Sequence, residues 1–302
     1  METTNQFFRF HLLVSTDSTD RPGSGKAAGL SAMLLDLGHK VMCYDSGSDD
    51  TPLAINAQKR PSDFLLVTDV RQKPIADAVN LWLTLEPCVD YLNSFAPFRA
   101  FESAYWRNFT YGLENSYRSH DIAYHDRVIP RSYNSRDYQF TNIPDDYFLY
   151  IGNNPQTAIV ATNAANGRLR IAGQGGATLS LEERMYLISK AKAVFVPSTA
   201  QGDAPWLVAE AGLCGTPAIT GDFGVFPEIV VDQVTGYRCN MLQDFVNAAR
   251  WVNQIDRTAV RHHALRFTVG NVKYRFRQWF MDLHQLYRSA HEPGVKGWNH
   301  YE

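Results

Sequence analysis

A carboxylate in an apolar setting is the side chain of this sequence best suited to bind a polar ligand. Glu210 follows Val208 and Ala209 and precedes Ala211, in a stretch predicted to be helical. The two oxygens of an ionised carboxylate can accept hydrogen bonds from two neighbouring hydroxyl groups of one ligand. The alternative is an acidic helix residue that faces solvent. The apolar residues around Glu210 argue against that alternative.

A glycine-containing turn follows in the sequence GVFPE, which includes Gly224, Val225 and Glu228. Backbone N–H groups at the start of a helix bind sugars or phosphates, since the helix dipole favours negative charge there. We therefore expect these residues to contact a ligand. The alternative is an ordinary helix-opening turn with proline at its first position.

A second glycine segment, with Gly23, Gly25 and Lys26, follows the first predicted strand. Glycine allows a diphosphate to approach the backbone closely, and the lysine supplies positive charge. The segment is not a Walker A loop, because Asp20 and Ala27 stand where that motif needs Gly and Ser or Thr. A flexible turn is the alternative interpretation.

Alternating strands and helices position these segments. Residues 7–15 and 41–45 are predicted strands, and 26–37 between them shows helical spacing, which completes a β-α-β unit. Residues 141–146 are typical of a linker, and a second alternating series begins at residue 147. Each half therefore predicts a doubly wound parallel sheet, which binds ligands beyond the carboxyl ends of its strands.

The bulk composition excludes several classes of protein. The length of 302 residues suits two domains, and 29 Lys and Arg against 31 Asp and Glu give no general positive field for nucleic acid or anionic lipid. The four cysteines are too far apart for a zinc knuckle or a disulfide framework. Without a signal-peptide pattern, we expect a cytoplasmic protein.

Missing motifs exclude further activities. The nine histidines show no H-E-x-x-H or other metal-ligand spacing, so no metal site is expected. The sequence has no G-x-S-x-G elbow, and no G-x-G-x-x-G follows the first strand. This weighs against hydrolases and dehydrogenases.

Residues 193–239 resemble the donor-site signature of the retaining glycosyltransferases of family four. The matching residues are Pro197-Ser198, Asp203, Glu210-Ala211, Gly215, Pro217, Gly224 and Pro227-Glu228. The resemblance extends to most of the chain, but residues 49–124 match poorly. It implies the GT-B architecture, in which two Rossmann-like domains face a cleft.

The resemblance also implies roles for the two acidic residues. Glu210 would bind the ribose of a nucleotide-sugar donor and Asp203 the hydroxyls of its sugar, and we predict both as catalytic residues. The family usually has a glutamate eight residues before the ribose-binding one, where this chain has Gly202. Asp203 lies one position later, so its alternative role is to cap the following helix.

One departure from the family concerns the donor diphosphate. Family members usually carry an Arg after the glycine that ends the first strand of the second domain, and a Lys a few residues later. Here Gly152 is followed by Asn153, and Thr157 stands at the second position. We assign Gly152 and Asn153 to donor binding, but neither cation is present. Three other basic residues are candidates to replace them: Lys26, Arg131 and Arg136. Without a substitute, activity is expected to be weak or absent, because the leaving diphosphate needs electrostatic stabilisation.

The resemblance together with these residues predicts a metal-independent hexosyltransferase that uses no cofactor. It would transfer a sugar, with retention, from a nucleoside diphosphate sugar, with UDP favoured, to a hydroxyl of a glycan, a small molecule or a modified DNA base. Residues 1–143 would form the acceptor-side domain and 144–275 the donor domain, and 276–302 would form a helix that packs back on the first. Two alternatives are a catalytically degraded nucleotide-sugar-binding module and a transferase acting on modified DNA bases.

Overall fold

The computed structural model describes residues 7–15, 26–114, 124–176, 179–197 and 205–292. The chain forms two compact units. Unit 1 contains Met1–Ser132 and Val269–Glu302, and unit 2 contains Tyr133–Thr268. Gly23, Gly25 and Asp203, three of the predicted site residues, lie outside the described residues.

The two boundaries lie earlier in the chain than the predicted ones at residues 143 and 275. Tyr133 and Tyr138 are buried in the core of unit 2, and the N–H of Tyr133 donates to the carbonyl of Phe267 at 2.9 Å. Val272 is buried in the core of unit 1. Residues 133–143 therefore belong to the second unit, and the chain returns to the first at Val269.

The described part of unit 1 contains a six-stranded parallel sheet. In chain order its strands are β1 Arg9–Val14, β2 Lys40–Asp45, β3 Phe64–Leu66, β4 Leu83–Val89, β5 Phe98–Phe101 and β6 Arg127–Val128, arranged β2-β1-β3-β4-β5-β6. The helices are α1 Lys26–Asp36, α2 Thr51–Asn56, α3 Lys73–Val79, α4 Ala104–Leu113 and, at the other end of the chain, α11 Val269–His291. Every residue of β4 is buried, as expected for a parallel strand covered on both faces.

Helices α1 and α11 cover one face of this sheet. The ring of Phe280 in α11 lies 4.9 Å from that of Phe10 in β1 and 5.7 Å from that of Phe64 in β3. Helices α2 and α3 cover the opposite face, where Leu13 and Leu65 are buried. The last long helix is therefore part of the hydrophobic core of unit 1.

Unit 2 contains a second parallel sheet, which has five strands in its described part. Its strands are β7 Phe148–Ile151, β8 Leu169–Ala172, β9 Val194–Val196, β10 Ala218–Gly221 and β11 Gly236–Cys239, arranged β11-β10-β9-β7-β8. Its helices are α5 Gln156–Ala164, α6 Leu181–Lys190, α7 Pro205–Leu213, α8 Phe226–Ile229, α9 Leu242–Trp251 and α10 Arg257–Ala264. Helices α5 and α9 pack on one face, and α6 and α7 on the other.

Local sequence features fix the ends of α6 and α7. The Ser180 hydroxyl accepts from the N–H of Glu183 at 3.1 Å, and the Glu183 carboxylate accepts from the N–H of Ser180 at 2.9 Å, which makes a capping box before α6. Gly215 follows α7 with φ +77°, a left-handed conformation that favours glycine. A side chain there would also meet the ring of Phe140 at 2.5 Å.

Both units are doubly wound parallel sheets covered by helices on two faces, so the α/β fold with two Rossmann-like units predicted from the sequence is confirmed. Across the part of the chain that the structure describes, every helix is too short or too polar to span a bilayer.

Replacing Phe280 with alanine is expected to lower the free energy of unfolding of unit 1 by about 3 to 5 kcal/mol, because it leaves a cavity among packed aromatic rings. Tyr274→Ala in the same helix is the matched control, since Tyr274 is 58% exposed and its loss should cost about 0.5 kcal/mol or less. Urea unfolding followed by circular dichroism measures both. Equal effects would contradict the assignment of α11 to this core.

Candidate functional site

The order of strands in unit 2 marks where a ligand is expected to bind. The chain leaves β7 towards α5 on one face and β9 towards α7 on the other, although the two strands are neighbours. Diverging loops leave a crevice beyond the carboxyl ends of such a pair. Gly152 and Asn153 follow β7 at this point, and Pro197 follows β9.

Glu210, in α7, is buried in an ion pair. Its side chain is bound by the guanidinium of Arg184 in the first turn of α6, with Nε 2.8 Å from Oε2 and Nη2 2.9 Å from Oε1. The two residues are only 2% and 1% exposed. The carbon of the guanidinium lies 5.1 Å from the centre of the Trp206 ring, which also belongs to α7. The apolar neighbours of Glu210 thus correspond to a buried position rather than one facing solvent.

Burying this ion pair costs free energy, and the geometry of the pair offsets that cost. Taking both charges out of water carries a large desolvation cost, which a two-bond fork between guanidinium and carboxylate offsets best. Nη1 of Arg184 is buried and has no hydrogen-bond partner in the described part of the chain, which costs about 1 to 3 kcal/mol. Each oxygen of Glu210 accepts one hydrogen bond from Arg184.

The sequence did not reveal Arg184. Nothing in its local pattern distinguishes it from other basic residues of a predicted helix, and its partner lies 26 positions away. The only usable signal is indirect, because a carboxylate at a buried position requires a cation nearby.

The groups around Glu210 are held in their neutral forms. Burial, supported by the nearby charge of Glu210, raises the pKa of the Tyr138 hydroxyl far above its usual range. Burial and the same charge raise the pKa of the Cys214 thiol to about 12. Neither side chain therefore serves as a base or nucleophile at neutral pH.

The loops after β7 and β8 are joined by a hydrogen bond. The side-chain oxygen of Asn153 accepts from the N–H of Gly175 at 2.9 Å. Gly173 and Gly175 have φ of +68° and +63°, and Gly152 has +142°, so the turns at this edge depend on glycine. Asn153 thus shapes the loop edge at the position where the family usually has an arginine.

The loop after β10 offers backbone donors. Gly224 has φ +65°, and neither its N–H nor that of Val225 donates to an acceptor among the described residues. Both residues are half-buried, and the next residues form the four-residue helix α8. The Glu228 side chain is exposed, while its backbone carbonyl accepts from Arg266 at 2.7 Å. The two N–H groups are therefore available to an anion.

Unit 1 brings together charged residues at the carboxyl ends of its strands. The Lys26 ammonium pairs with Asp90. Arg131 binds both Asp90, with Nη2 3.1 Å from Oδ2, and Glu102, with Nε 2.9 Å from Oε1. Burial raises the pKa of Glu102, and Arg131 opposes that rise. Two of the three cations that the sequence offered for the diphosphate are thus largely neutralised by carboxylates.

Arg136, the third basic candidate, lies in unit 2. Its side chain is exposed, and its guanidinium forms no hydrogen bond or ion pair with any residue that the structure describes. Across the same ranges, no three His, Cys, Asp or Glu side chains come together as metal ligands.

The model of the family described as glycosyl transferases group 1 matches residues 177–258, which contain Arg184, Glu210 and Gly224. None of the curated proteins compared with the chain matches it.

Several solved structures share the fold. AviGT4, a glycosyltransferase involved in avilamycin A biosynthesis, has a TM-score of 0.63 and 17% identity, covering 92% of this chain and 98% of its own. Sucrose-phosphate synthase from Thermosynechococcus elongatus has a TM-score of 0.68 and 14% identity, covering 91% and 99%. HepE from Anabaena, solved with UDP and glucose, has a TM-score of 0.63 and 11% identity, covering 90% and 98%. These likenesses show that the two units have the fold of GT-B glycosyltransferases.

Replacing Glu210 with glutamine is expected to lower the free energy of unfolding by about 3 to 5 kcal/mol, because Arg184 is left as an uncompensated buried charge. Glu182→Gln is the control, since Glu182 lies exposed in the same first turn of α6 as Arg184. Its effect should be about 0.5 kcal/mol or less. Chemical denaturation of both variants is the measurement, and similar midpoints would show that the ion pair contributes nothing.

Proposed function

We propose that this protein transfers a sugar from a nucleoside diphosphate sugar, with UDP as the favoured nucleotide, to an acceptor hydroxyl. The observation that carries the proposal is the buried carboxylate of Glu210, fixed by Arg184 inside the segment that matches glycosyl transferases group 1. The UDP and glucose in the structure of HepE, which shares the fold, support this type of donor.

In this proposal the donor is held by unit 2. The Glu210 carboxylate binds the two ribose hydroxyls. The N–H groups of Gly224 and Val225 bind the diphosphate, as the unused donors of that loop suggest. Asp203 binds hydroxyls of the sugar, and Gly152 and Asn153 shape the edge between them.

The proposed reaction is metal-independent transfer of a hexose with retention at the anomeric carbon. The bond between that carbon and the donor phosphate oxygen breaks, and the acceptor oxygen bonds to the same face. The acceptor proton goes to the departing phosphate, so no protein base is required. Stabilising the charge on the diphosphate is the task of the protein, and preorganised donors do this at low reorganisation cost.

A specific observation favours a second candidate, a module that binds nucleotide sugars without transferring them. Asn153 and Thr157 replace the cations usual in the family, and Lys26 and Arg131 are paired with carboxylates. Such a chain can bind a donor through Glu210 and the glycine loop. It lacks the charges that stabilise the leaving group.

Incubation with UDP-, GDP- and ADP-sugars, with binding and release of free nucleoside diphosphate measured together, separates the two candidates. The transferase is expected to release diphosphate from one donor, faster when an acceptor sugar is added. Binding without release for every donor and acceptor supports the module, and absence of all binding removes both candidates.

Thr157→Lys is expected to raise the rate of diphosphate release, because it returns a positive charge to the first turn of α5, after the loop that follows β7. Removing one electrostatic stabiliser from an active site costs on the order of 100-fold in rate, so a gain approaching that size is expected. Gln156→Lys is the control, because it places the same charge at the neighbouring, exposed position. Thr162→Lys is unsuitable as a control because Thr162 is buried. Equal rates for both variants and the unmodified protein would contradict a role for this position.

A further inference from the structure

We propose that Asp222 and Arg238 are positioning residues for the donor diphosphate. Their ion pair holds the turn after β10 in the conformation in which the N–H groups of Gly224 and Val225 face one anion. The inference rests on the proposed function, and it adds two residues that need not contact the donor. It also predicts that the bond between the two side chains matters more for binding than the charge of either one.

The turn after β10 has the backbone conformation of an anion-binding turn. Gly224 has φ +65°, and Val225 has φ −81° and ψ −18°. A left-handed residue next to a right-handed one directs successive N–H groups to the same side and forms a small anion-binding concavity. Neither N–H donates to an acceptor among the residues that the structure describes. A diphosphate can use both donors only while the turn keeps this conformation.

The first residue of the turn, Asp222, is bound to β11 twice. Its N–H donates to the carbonyl of Cys239 at 2.9 Å, which continues the ladder between β10 and β11 by one residue. Its carboxylate accepts from Arg238, with 3.0 Å between Nη1 and Oδ1. Because both the N–H and the side chain of Asp222 are held, the direction in which the chain leaves this residue is fixed. Gly224 follows only two residues later.

Arg238 is itself held by the backbone of β11 and by the turn before that strand. Its N–H donates to Oδ1 of Asp232 at 2.9 Å, and in the parallel register it lies opposite Thr220 of β10. Among the described residues, the hydrogen bonds of its side chain go to Asp222 alone, and its Nε is buried without a partner there. The side chain of Arg238 is therefore directed at the start of the turn.

The chain beyond the turn is anchored by a second arginine. The carbonyl of Glu228 in α8 accepts from Nη2 of Arg266 at 2.7 Å. The guanidinium carbon of Arg266 lies 4.6 Å from the centre of the Phe267 ring, which is buried in the core of unit 2. The turn is thus attached on both sides, at Asp222 and at Glu228. Such attachment lowers the conformational entropy that an anion would otherwise have to remove on binding.

The stability of unit 2 explains the pair poorly. The side chains of Arg238 and Asp222 are 29% and 30% exposed, and ion pairs that water reaches contribute little to the free energy of unfolding. The pair also adds little net charge to the site, because each group cancels much of the field of the other. A fixed direction for the turn is the contribution that remains.

The test is Asp222→Ala, which breaks the bond and removes a negative charge close to the turn. Calorimetry with UDP, GDP and ADP, and ligand-observed NMR with uridine, guanosine and adenosine, separate the diphosphate part of the affinity from the nucleoside part. We expect diphosphate binding to weaken about tenfold, equivalent to one well-made hydrogen bond, and nucleoside binding to change by about twofold or less. If charge alone mattered, Asp222→Ala would bind the diphosphate more tightly.

Two further variants separate the bond from the charge. Asp222→Asn keeps an oxygen that accepts from Arg238, so its diphosphate affinity should return to within about threefold of that of the unmodified protein. The double variant Asp222→Ala/Arg238→Gln has the net charge of the unmodified protein. It should bind the diphosphate as weakly as Asp222→Ala does, because both variants lose the same single bond.

Arg250→Gln is the matched control, since it removes one positive charge from unit 2, as Arg238→Gln does. Nη2 of Arg250 donates to the carbonyl of Ala164, the last residue of α5, at 3.0 Å. This variant should leave diphosphate binding within about twofold of that of the unmodified protein. Melting followed by circular dichroism should shift by about 2 °C or less for all of these variants, as expected for changes at exposed positions.

Three results overturn the inference. Diphosphate binding by Asp222→Ala that equals or exceeds that of the unmodified protein shows that the pair does not position the turn. An equal loss of diphosphate and nucleoside binding shows that the pair supports unit 2 in general. In both cases the proposed function stands. Failure of the unmodified protein to bind UDP, GDP or ADP removes that function, and the role of the pair with it.

Discussion

The ion pair between Arg184 and Glu210 is the interaction on which the candidate site depends. A carboxylate that is 2% exposed keeps its charge only beside a cation, and the cation must come from another element of the fold. Helices α6 and α7 are consecutive helices of unit 2 and pack on the same face of its sheet, so they bring Arg184 and Glu210 together. The capping box before α6 and the glycine after α7 fix the start and end of these helices. Local sequence features thus determine the geometry of a contact that is not local.

The parallel sheet determines where this geometry can serve a ligand. All strands of unit 2 run in one direction, so the turns after β7, β8 and β10 lie at one edge. At that edge Asn153 binds the N–H of Gly175, whereas the N–H groups of Gly224 and Val225 bind no described residue. The loops after β7 and β8 are therefore joined by a hydrogen bond, whereas the loop after β10 keeps two unused N–H donors. The unused donors therefore lie beyond the carboxyl ends of the strands, where doubly wound sheets generally bind ligands.

Much of the fold could be predicted from the sequence because local patterns of residues determine its strands and helices. The first strand and the helix after it were predicted at 7–15 and 26–37 and are observed at Arg9–Val14 and Lys26–Asp36. The unit boundary was placed too late, because Tyr133 and Tyr138 reach unit 2 through packing that no local pattern shows. The same limit applies to the site. The burial of Glu210 was indicated by its neighbours, but its partner Arg184, and the pairing of Lys26 with Asp90, are tertiary contacts between distant residues.

The distribution of charge decides what kind of catalysis the chain can support. In unit 1 each of the two cations, Lys26 and Arg131, meets at least one carboxylate, so their fields largely cancel beyond a short distance. In unit 2 the N–H dipoles of Gly224 and Val225 supply positive potential at the edge, and Arg136 is exposed. Fixed dipoles stabilise a developing charge without reorganising, but an exposed guanidinium is screened by water. A diphosphate bound here would therefore owe its stabilisation to the backbone of one glycine loop, and the geometry of that loop becomes as important to turnover as any side chain.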